Sequence, residues 1–204
     1  MLSFDPRNNS DRANYQILTN SVIPRPIAFV TTMTKTRVIN GAPFSYFNAV
    51  SSNPPMLSVA VDRRSSGDHK DTARNIIDQK EFVIHVVDAD NIAQVNDTAE
   101  PVPSNVSEVE KVNFTPVDST SISVPGIREA KVRFECKLEH VIELKENGKV
   151  VTDLIVGRVV RFHIENDLYE NESVTHEKIN AVSSLGDSVF AKIGETFTIP
   201  FPHK

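Results

Sequence analysis

The sequence predicts a mainly β protein, a barrel or sandwich carrying a few helical excursions, and three observations lead there. Short β-branched and aromatic runs recur between turn-forming residues. One segment, "KVRFECKLE", alternates strictly between charged and apolar side chains, and few stretches have helical periodicity.

Taken in order, "IAFVTTM" (Ile27 to Met33) reads as a strand, and the turn-forming "TKTRVING" leads into a second one. That second segment, "NGAPFSYFNAVSSNPP" (Asn40 to Pro55), is expected to end at a sheet rim, because Pro54 and Pro55 supply no ladder N–H. Pro43 is expected to break regular pairing, so that Ala42 to Phe44 turn main-chain groups outward. "MLSVAV" (Met56 to Val61) and "EFVIHVV" (Glu81 to Val87) have the length of buried strands. Between them, "KDTARNIIDQ" predicts a helix with Asp71 or Thr72 as its N-cap.

"DTAEPVPSNVSEVEKVNFTP" (Asp97 to Pro116) is polar and interrupted by proline, so helical fragments and loop are expected to cross an edge or opening of the sheet. In "KVRFECKLE", Val132, Phe134, Cys136 and Leu138 face inward and the charged residues outward, which predicts a half-solvated strand. "ENGK" (Glu146 to Lys149) supplies an Asn-Gly hairpin turn into a long second arm, Val150 to Glu165, where Gly157 is a candidate bulge.

At 204 residues, with no internal repeat, the chain is expected to form one domain, 1–204. The formal charge of −5 opposes a broad nucleic-acid surface. No apolar run approaches the ~20 residues of a membrane helix, and "MLSFDPRNNS" does not read as a secretory signal, so a cytoplasmic protein without a membrane partner is expected. Cys136, the only cysteine, excludes an intrachain disulfide framework.

Several chemistries lack their residues. The 7 glycines, no two closer than eight positions, form neither a dinucleotide fingerprint nor a phosphate loop. No histidine pair has helical ligand spacing, so no metal site is expected. Cys136 and His140 lie about 13 Å apart at ~3.3 Å per strand residue, too far for a catalytic pair. Cys136 is read as a small core residue, and His85 and His163 as hydrogen-bonded structural ones.

Two features do suggest a ligand. Free main-chain groups beside Phe44, Tyr46 and Phe47, with Ser45, Asn48, Ser51 and Ser52 adding polar side chains, suit a planar, polar-edged heterocycle such as a flavin. The alternative is that the aromatics pack the core and the serines serve turns. Downstream, Arg63, Arg64, Lys70 and Thr72 precede or open the proposed helix, whose N-terminus favours an anion. Here the alternative is a solvated charged loop. A heterocycle rim and an anion site one short strand apart match the two ends of flavin mononucleotide (FMN).

"IPRPIAFVTT", "NGAPFSYFNAVSSNPP" and "KDTARNI" together resemble, in order and spacing, the motifs of the flavin reductase-like family, in particular flavoredoxins and the reductase component of nitrilotriacetate monooxygenase. "SSLGDSVFAKIGETFTIPFP" resembles the family's closing segment more weakly. It departs at Asp187 and Phe190, where relatives commonly have Gly and Tyr; the second motif departs at Gly41, where a larger apolar residue is common, and this is read as turn variation. The resemblance implies a six-stranded Greek-key split β-barrel with a few peripheral helices, and a homodimer with FMN near the subunit interface. FAD is the alternative flavin, and NADH or NADPH the transient hydride donor. It places the cofactor on Asn40, Ala42, Pro43, Ser45, Phe47, Asn48 and Ser51 at the rim, and on Arg63, Lys70, Asp71 and Thr72 at the phosphate. No acid or base residue is named. The activity implied is hydride transfer from NAD(P)H to flavin, with a monooxygenase or other redox partner downstream. The alternative is an FMN-containing electron-transfer protein, and a third reading is a barrel that has lost its flavin.

Overall fold

Alternating apolar side chains and proline-, asparagine- and glycine-rich turns make antiparallel strands the commonest element of this chain. The computed structural model describes residues 1–200 and 202. Helix α1 (Asp11–Ser21) is capped by Ser10, whose Oγ accepts from the Ala13 amide, and precedes the two-residue strand β1 (Arg25–Pro26). Then come β2 (Ala28–Met33), β3 (Ile39–Phe44), β4 (Phe47–Ser52) and β5 (Pro55–Asp62), followed by helix α2 (Asp71–Gln79) and β6 (Glu81–Val86). Short helices α3 (Ile92–Asp97) and α4 (Glu108–Lys111) and the two-residue strands β7 (Pro116–Val117) and β8 (Gly126–Ile127) lead to the long hairpin β9 (Val132–Glu146) and β10 (Lys149–Ile164). The chain closes with β11 (Tyr169–Glu170), β12 (Ser173–Val174), α5 (His176–Ile179), β13 (Val182–Gly186) and β14 (Val189–Lys192).

Seven strands form the main sheet in the order β3-β2-β6-β9-β10-β5-β4, with all pairs antiparallel. Its two edge strands, β3 and β4, are consecutive in sequence and separated only by a bend at Ser45 and Tyr46. A sheet whose first and last strands are joined by two residues must curl until its edges meet, which makes it a barrel with a split between β3 and β4. Six strands were expected and seven are present, because that bend divides one segment into two.

The interior is filled from both sides of the curled sheet. Ala28, Val30, Val61, Ala73, Ile76, Phe82, Ile84, Cys136 and Ile155 form one core cluster, with α2 packed over it. Phe29, Val87, Val95, Val109, Phe114 and Ile127 form a second, on the face covered by α3 and α4. Fully burying one such Ile or Phe side chain contributes roughly 1.5–3 kcal/mol.

Several local expectations change. The N-cap of α2 is Lys70, which makes no side-chain capping bond, and Asp71 and Thr72 lie inside the first turn. Pro54 and Pro55 do not send the chain out of the sheet. Asn53 and Pro54 make the turn of the β4–β5 hairpin, and β5 begins at Pro55, a strand's first residue, where a missing N–H is tolerated. β9 is not half-solvated at Glu135, which is fully buried: its carboxylate accepts the Thr120 and Ser121 amides and lies 2.6 Å from His163 Nε2. Gly157 does sit at a register shift, between Val156 and Gly157. A Cβ there would lie 2.3 Å from the Phe82 ring, so glycine is required by the packing of β6 against the hairpin.

His85 lies wholly inside, its Nδ1 donating to the Phe29 carbonyl at 2.9 Å and its Nε2 accepting from the Ile127 amide at 3.0 Å. Burial lowers its pKa to about 3. An unfolded histidine titrates near 6.5, so this contribution to stability is complete above that pH and is lost as pH falls toward 3. Imidazole ¹⁵N shifts should therefore show His85 neutral and Nδ1-protonated at pH 5. An imidazolium signature at that pH in the folded protein would refute the assignment.

Candidate functional site

The site is built on the edge strand β3. Main-chain groups in an edge strand point alternately toward the neighbouring strand and away from it. The Ile39 carbonyl accepts from Ser107 Oγ at 2.7 Å and the Gly41 amide donates to Glu108 Oε2 at 3.3 Å, so the odd-numbered residues face away from the sheet. This corrects the outward assignment of the whole Ala42 to Phe44 stretch. Ala42 and Phe44 turn their main chain to β2, and the outward position between them is Pro43, which offers a carbonyl and no donor.

Asn40 is the joint of the site. It is buried; its Nδ2 donates to Glu108 Oε2 at 3.0 Å, and its Oδ1 accepts from Thr72 Oγ1 at 3.3 Å and Thr32 Oγ1 at 3.4 Å. Asn75 Nδ2 donates to Thr32 Oγ1 at 3.1 Å. One amide side chain thus fixes the start of α2, the start of α4 and β3 against one another. Gly41 beside it is not turn variation. It is a buried strand residue, and a Cβ there would fall 2.6 Å from Phe29 and 2.8 Å from Val109.

These elements enclose a cleft of about 270 Å³. One wall is Asn40, Ala42, Pro43 and Phe44; another is Arg64 with Lys70, Asp71 and Thr72; the third is Thr98 to Val102 with Glu108. The N–H groups of the first turn of α2 have no partners inside the helix. Arg64 Nη2 donates to Asp71 at 2.7 Å, Arg74 also pairs with Asp71, and Glu100 pairs with Lys111 at 2.5 Å. Burial raises the Glu108 carboxyl above the ordinary range, outweighing its hydrogen bonds from Asn40 and Gly41.

The sequence-derived residues therefore separate into groups. Asn40, Ala42, Pro43, Lys70, Asp71 and Thr72 come together in the cleft. Ser45 sits at the bend and accepts from Arg25 Nε at 3.4 Å. The same guanidinium binds the Thr19 and Val22 carbonyls, tying the end of α1 to the bend. Phe47, Asn48 and Ser51 belong to the other lip, β4: Phe47 packs on the core, Asn48 is exposed with its Oδ1 accepting from the Ala49 amide, and Ser51 stands opposite Met56. Arg63 is elsewhere, its guanidinium on the buried Asp153 at 2.7 Å and near Glu143. It staples β5 to β10, and breaking such a pair costs ~3–5 kcal/mol. Glu108 and the Thr98–Val102 wall were not singled out from sequence. Their only signal was that the segment crosses an opening of the sheet.

A curled sheet split along β3 and β4, with a mixed-charge cleft at the split, is a split-barrel architecture of the cofactor-binding kind. The chain belongs to the family of the flavin reductase like domain, which it matches over residues 20–181. It is 43% identical to the protein YwrF of Bacillus subtilis (strain 168), covering 99% of this chain and 100% of that one. Among solved structures it is similar to nitrilotriacetate monooxygenase component B from Bacillus cereus: 47% identity, 98% of each chain covered, TM-score 0.95. A protein with a split barrel domain from Shewanella frigidimarina NCIMB 400 superimposes with a TM-score of 0.85 over 98% of this chain and 100% of that one. At 16% identity that likeness shows the fold alone. Family and fold support a flavin-related oxidoreductase role. No helix among the described residues is long and apolar enough to cross a membrane.

Because folding favours the protonated form of Glu108, its ionisation works against stability as pH rises through its folded pKa. Glu108→Gln keeps an oxygen acceptor for Asn40 and Gly41 without the charge. The variant should be more stable than wild type at pH 7.5, with the gain vanishing at pH 4. Urea midpoints at the two pH values measure this, and a gain that is the same at both would show that the carboxyl is not desolvated.

Proposed function

We propose that this chain is an FMN-binding oxidoreductase of the flavin reductase class, with NADH or NADPH as hydride donor and free flavin or a monooxygenase partner as acceptor. The observation that carries the reading is the pairing of Lys70 and the open first turn of α2 with the outward edge of β3 across one cleft. An anionic phosphate belongs at the α2 end, where Lys70 and the helix N-terminus supply positive charge. A flavin bound there would supply the hydride chemistry, and the protein's share would be orientation and electrostatics. Thr72, held by Asn40, sets the start of α2, and Pro43 offers an acceptor to the edge of a ring. Ser45, Phe47, Asn48 and Ser51, on the bend and far lip and outside the lining of the cleft, are the residues proposed to meet the ring. Arg63 keeps its pair with Asp153 and positions β5 behind the site.

At about 270 Å³ the cleft falls just below the ~300–1,000 Å³ typical of pockets that bury a whole ligand. It suits a phosphate and its polyol chain better than an entire FMN. This favours a homodimer in which the second subunit completes the site near the split, two-fold association being the commonest oligomeric solution.

Anaerobic mixing of the flavin-loaded protein with NADH or NADPH tests the activity: rapid bleaching of the visible band supports the reductase, whereas bleaching only by dithionite favours an electron-transfer protein. Lys70→Ala should weaken FMN far more than riboflavin. A charge-assisted contact is worth ~1.5–3 kcal/mol, or roughly tenfold to over a hundredfold in affinity. Equal loss for both ligands would remove the phosphate from Lys70. Flavin fluorescence should rise in step with dissociation when the dimer is diluted under light scattering. A monomer that keeps its flavin would place the whole site in one chain.

A further inference from the structure

The segment after the last strand is exposed along residues 193–200. β14 stops at Lys192, and residues 193–200 form neither helix nor strand. Phe197 is 83% exposed and Ile199 74%. In an extended run, positions 195, 197 and 199 lie on one side, which would place Glu195, Phe197 and Ile199 on a shared face. That face is acidic at one end and apolar at the other.

A complementary surface lies on the barrel. A groove of about 780 Å³ is lined by Val86, Val132, Phe134, Phe162, Ile164 and Tyr169, with Phe162 54% exposed. Phe162 and Ile164 also border an adjoining recess that holds Arg128, Lys131, Arg133 and His163 together with one carboxylate, Glu165, so that its excess charge is positive. Lys131 is paired with Asp90 at 2.6 Å, and His163 with Glu135. Among the described residues, Arg128 and Arg133 have no carboxylate within ion-pair distance. The groove is apolar, its neighbour is cationic, and residues 193–200 line neither.

We propose that residues 193–200 are an exchange arm: Phe197 and Ile199 seat in the apolar groove of a second copy of this chain, and Glu195 meets that copy's Arg128 and Arg133. The inference rests on the two-copy assembly proposed above and names the contact that holds it. A second copy is favoured over an unrelated partner because one sequence carries both halves of the contact. The cationic and apolar recesses share the wall of Phe162 and Ile164, so one short segment carrying both an acidic and an apolar side chain can reach the two together. Under two-fold symmetry each copy gives one arm and receives one, so both arms and both grooves are covered in a closed dimer.

The test uses the full chain carrying Thr198→Cys, between the two apolar anchors, and Val174→Cys at the groove wall. Cys136 is completely buried and leaves a low background. A short bismaleimide should link most chains as covalent dimers, each single-cysteine variant should give several-fold less, and adding Glu195→Arg should lower the yield several-fold. Light scattering of the untreated protein separates the outcomes. A dimer that yields no linked species would remove the arm and leave the two-copy assembly standing. A link formed within one chain would overturn the exchange. A monomer in solution would overturn both readings.

Discussion

The candidate site depends on one buried amide. Asn40 sits in an edge strand, yet its side chain is spent on Glu108, Thr72 and Thr32, which belong to α4, α2 and β2. An unpaired buried amide costs ~1–3 kcal/mol, so the three elements stay where those bonds hold them. Each neighbour depends on that placement. Thr72 fixes where α2 begins, Glu108 covers the Gly41 amide, and Gly41 lets Phe29 and Val109 close beneath the strand.

The barrel supplies what Asn40 organises. A sheet edge is normally a hazard, because its free N–H and C=O groups recruit other strands. Here β3 is blunted by its own sequence. Ser107 and Glu108 occupy the outward groups of Ile39 and Gly41, and Pro43 removes the next donor. What remains open is a short acceptor edge beside a helix start, enough for a ligand and too little for another strand. On the opposite lip, Arg25 holds the bend at Ser45 while bonding the end of α1, so the split is braced from both ends.

The sequence made the strands legible where a local signal sufficed. Alternation marked the inward face of β9, Asn147-Gly148 marked the hairpin turn, where both residues adopt positive φ, and Gly157 marked the register shift. The three motifs that resembled the flavin reductase-like family fall on β2, on β3 with β4, and on α2, and the family match over residues 20–181 spans them all. Less legible was anything set by distant contacts. Glu135 looked solvated because strand periodicity cannot register Thr120 and Ser121 folding over it. Arg63 and Arg64 looked equivalent in sequence, yet just past the end of β5 the first turns to Asp153 on β10 and the second lines the cleft, a divergence set by distant partners. Glu108 had no local signature, since it reaches β3 from 67 positions along the chain.

Charge along the cleft gives it a direction. Two cations and three carboxylates line it, which taken as a sum would repel an anion. The sum misleads because most of these charges are already engaged. Asp71 holds Arg64 and Arg74, and Glu100 holds Lys111. Lys70 and the first turn of α2 remain at one end, and Glu108, with its ionisation disfavoured by burial, at the other. Field lines in a low-dielectric cleft are set by its unpaired charges. On the proposed reading, an anionic group would sit at the α2 end, and neutral groups that donate hydrogen bonds at the β3 end, with Glu108 and the Pro43 carbonyl. A ligand with a phosphate at one terminus and an N–H-bearing ring at the other satisfies both ends in only one orientation.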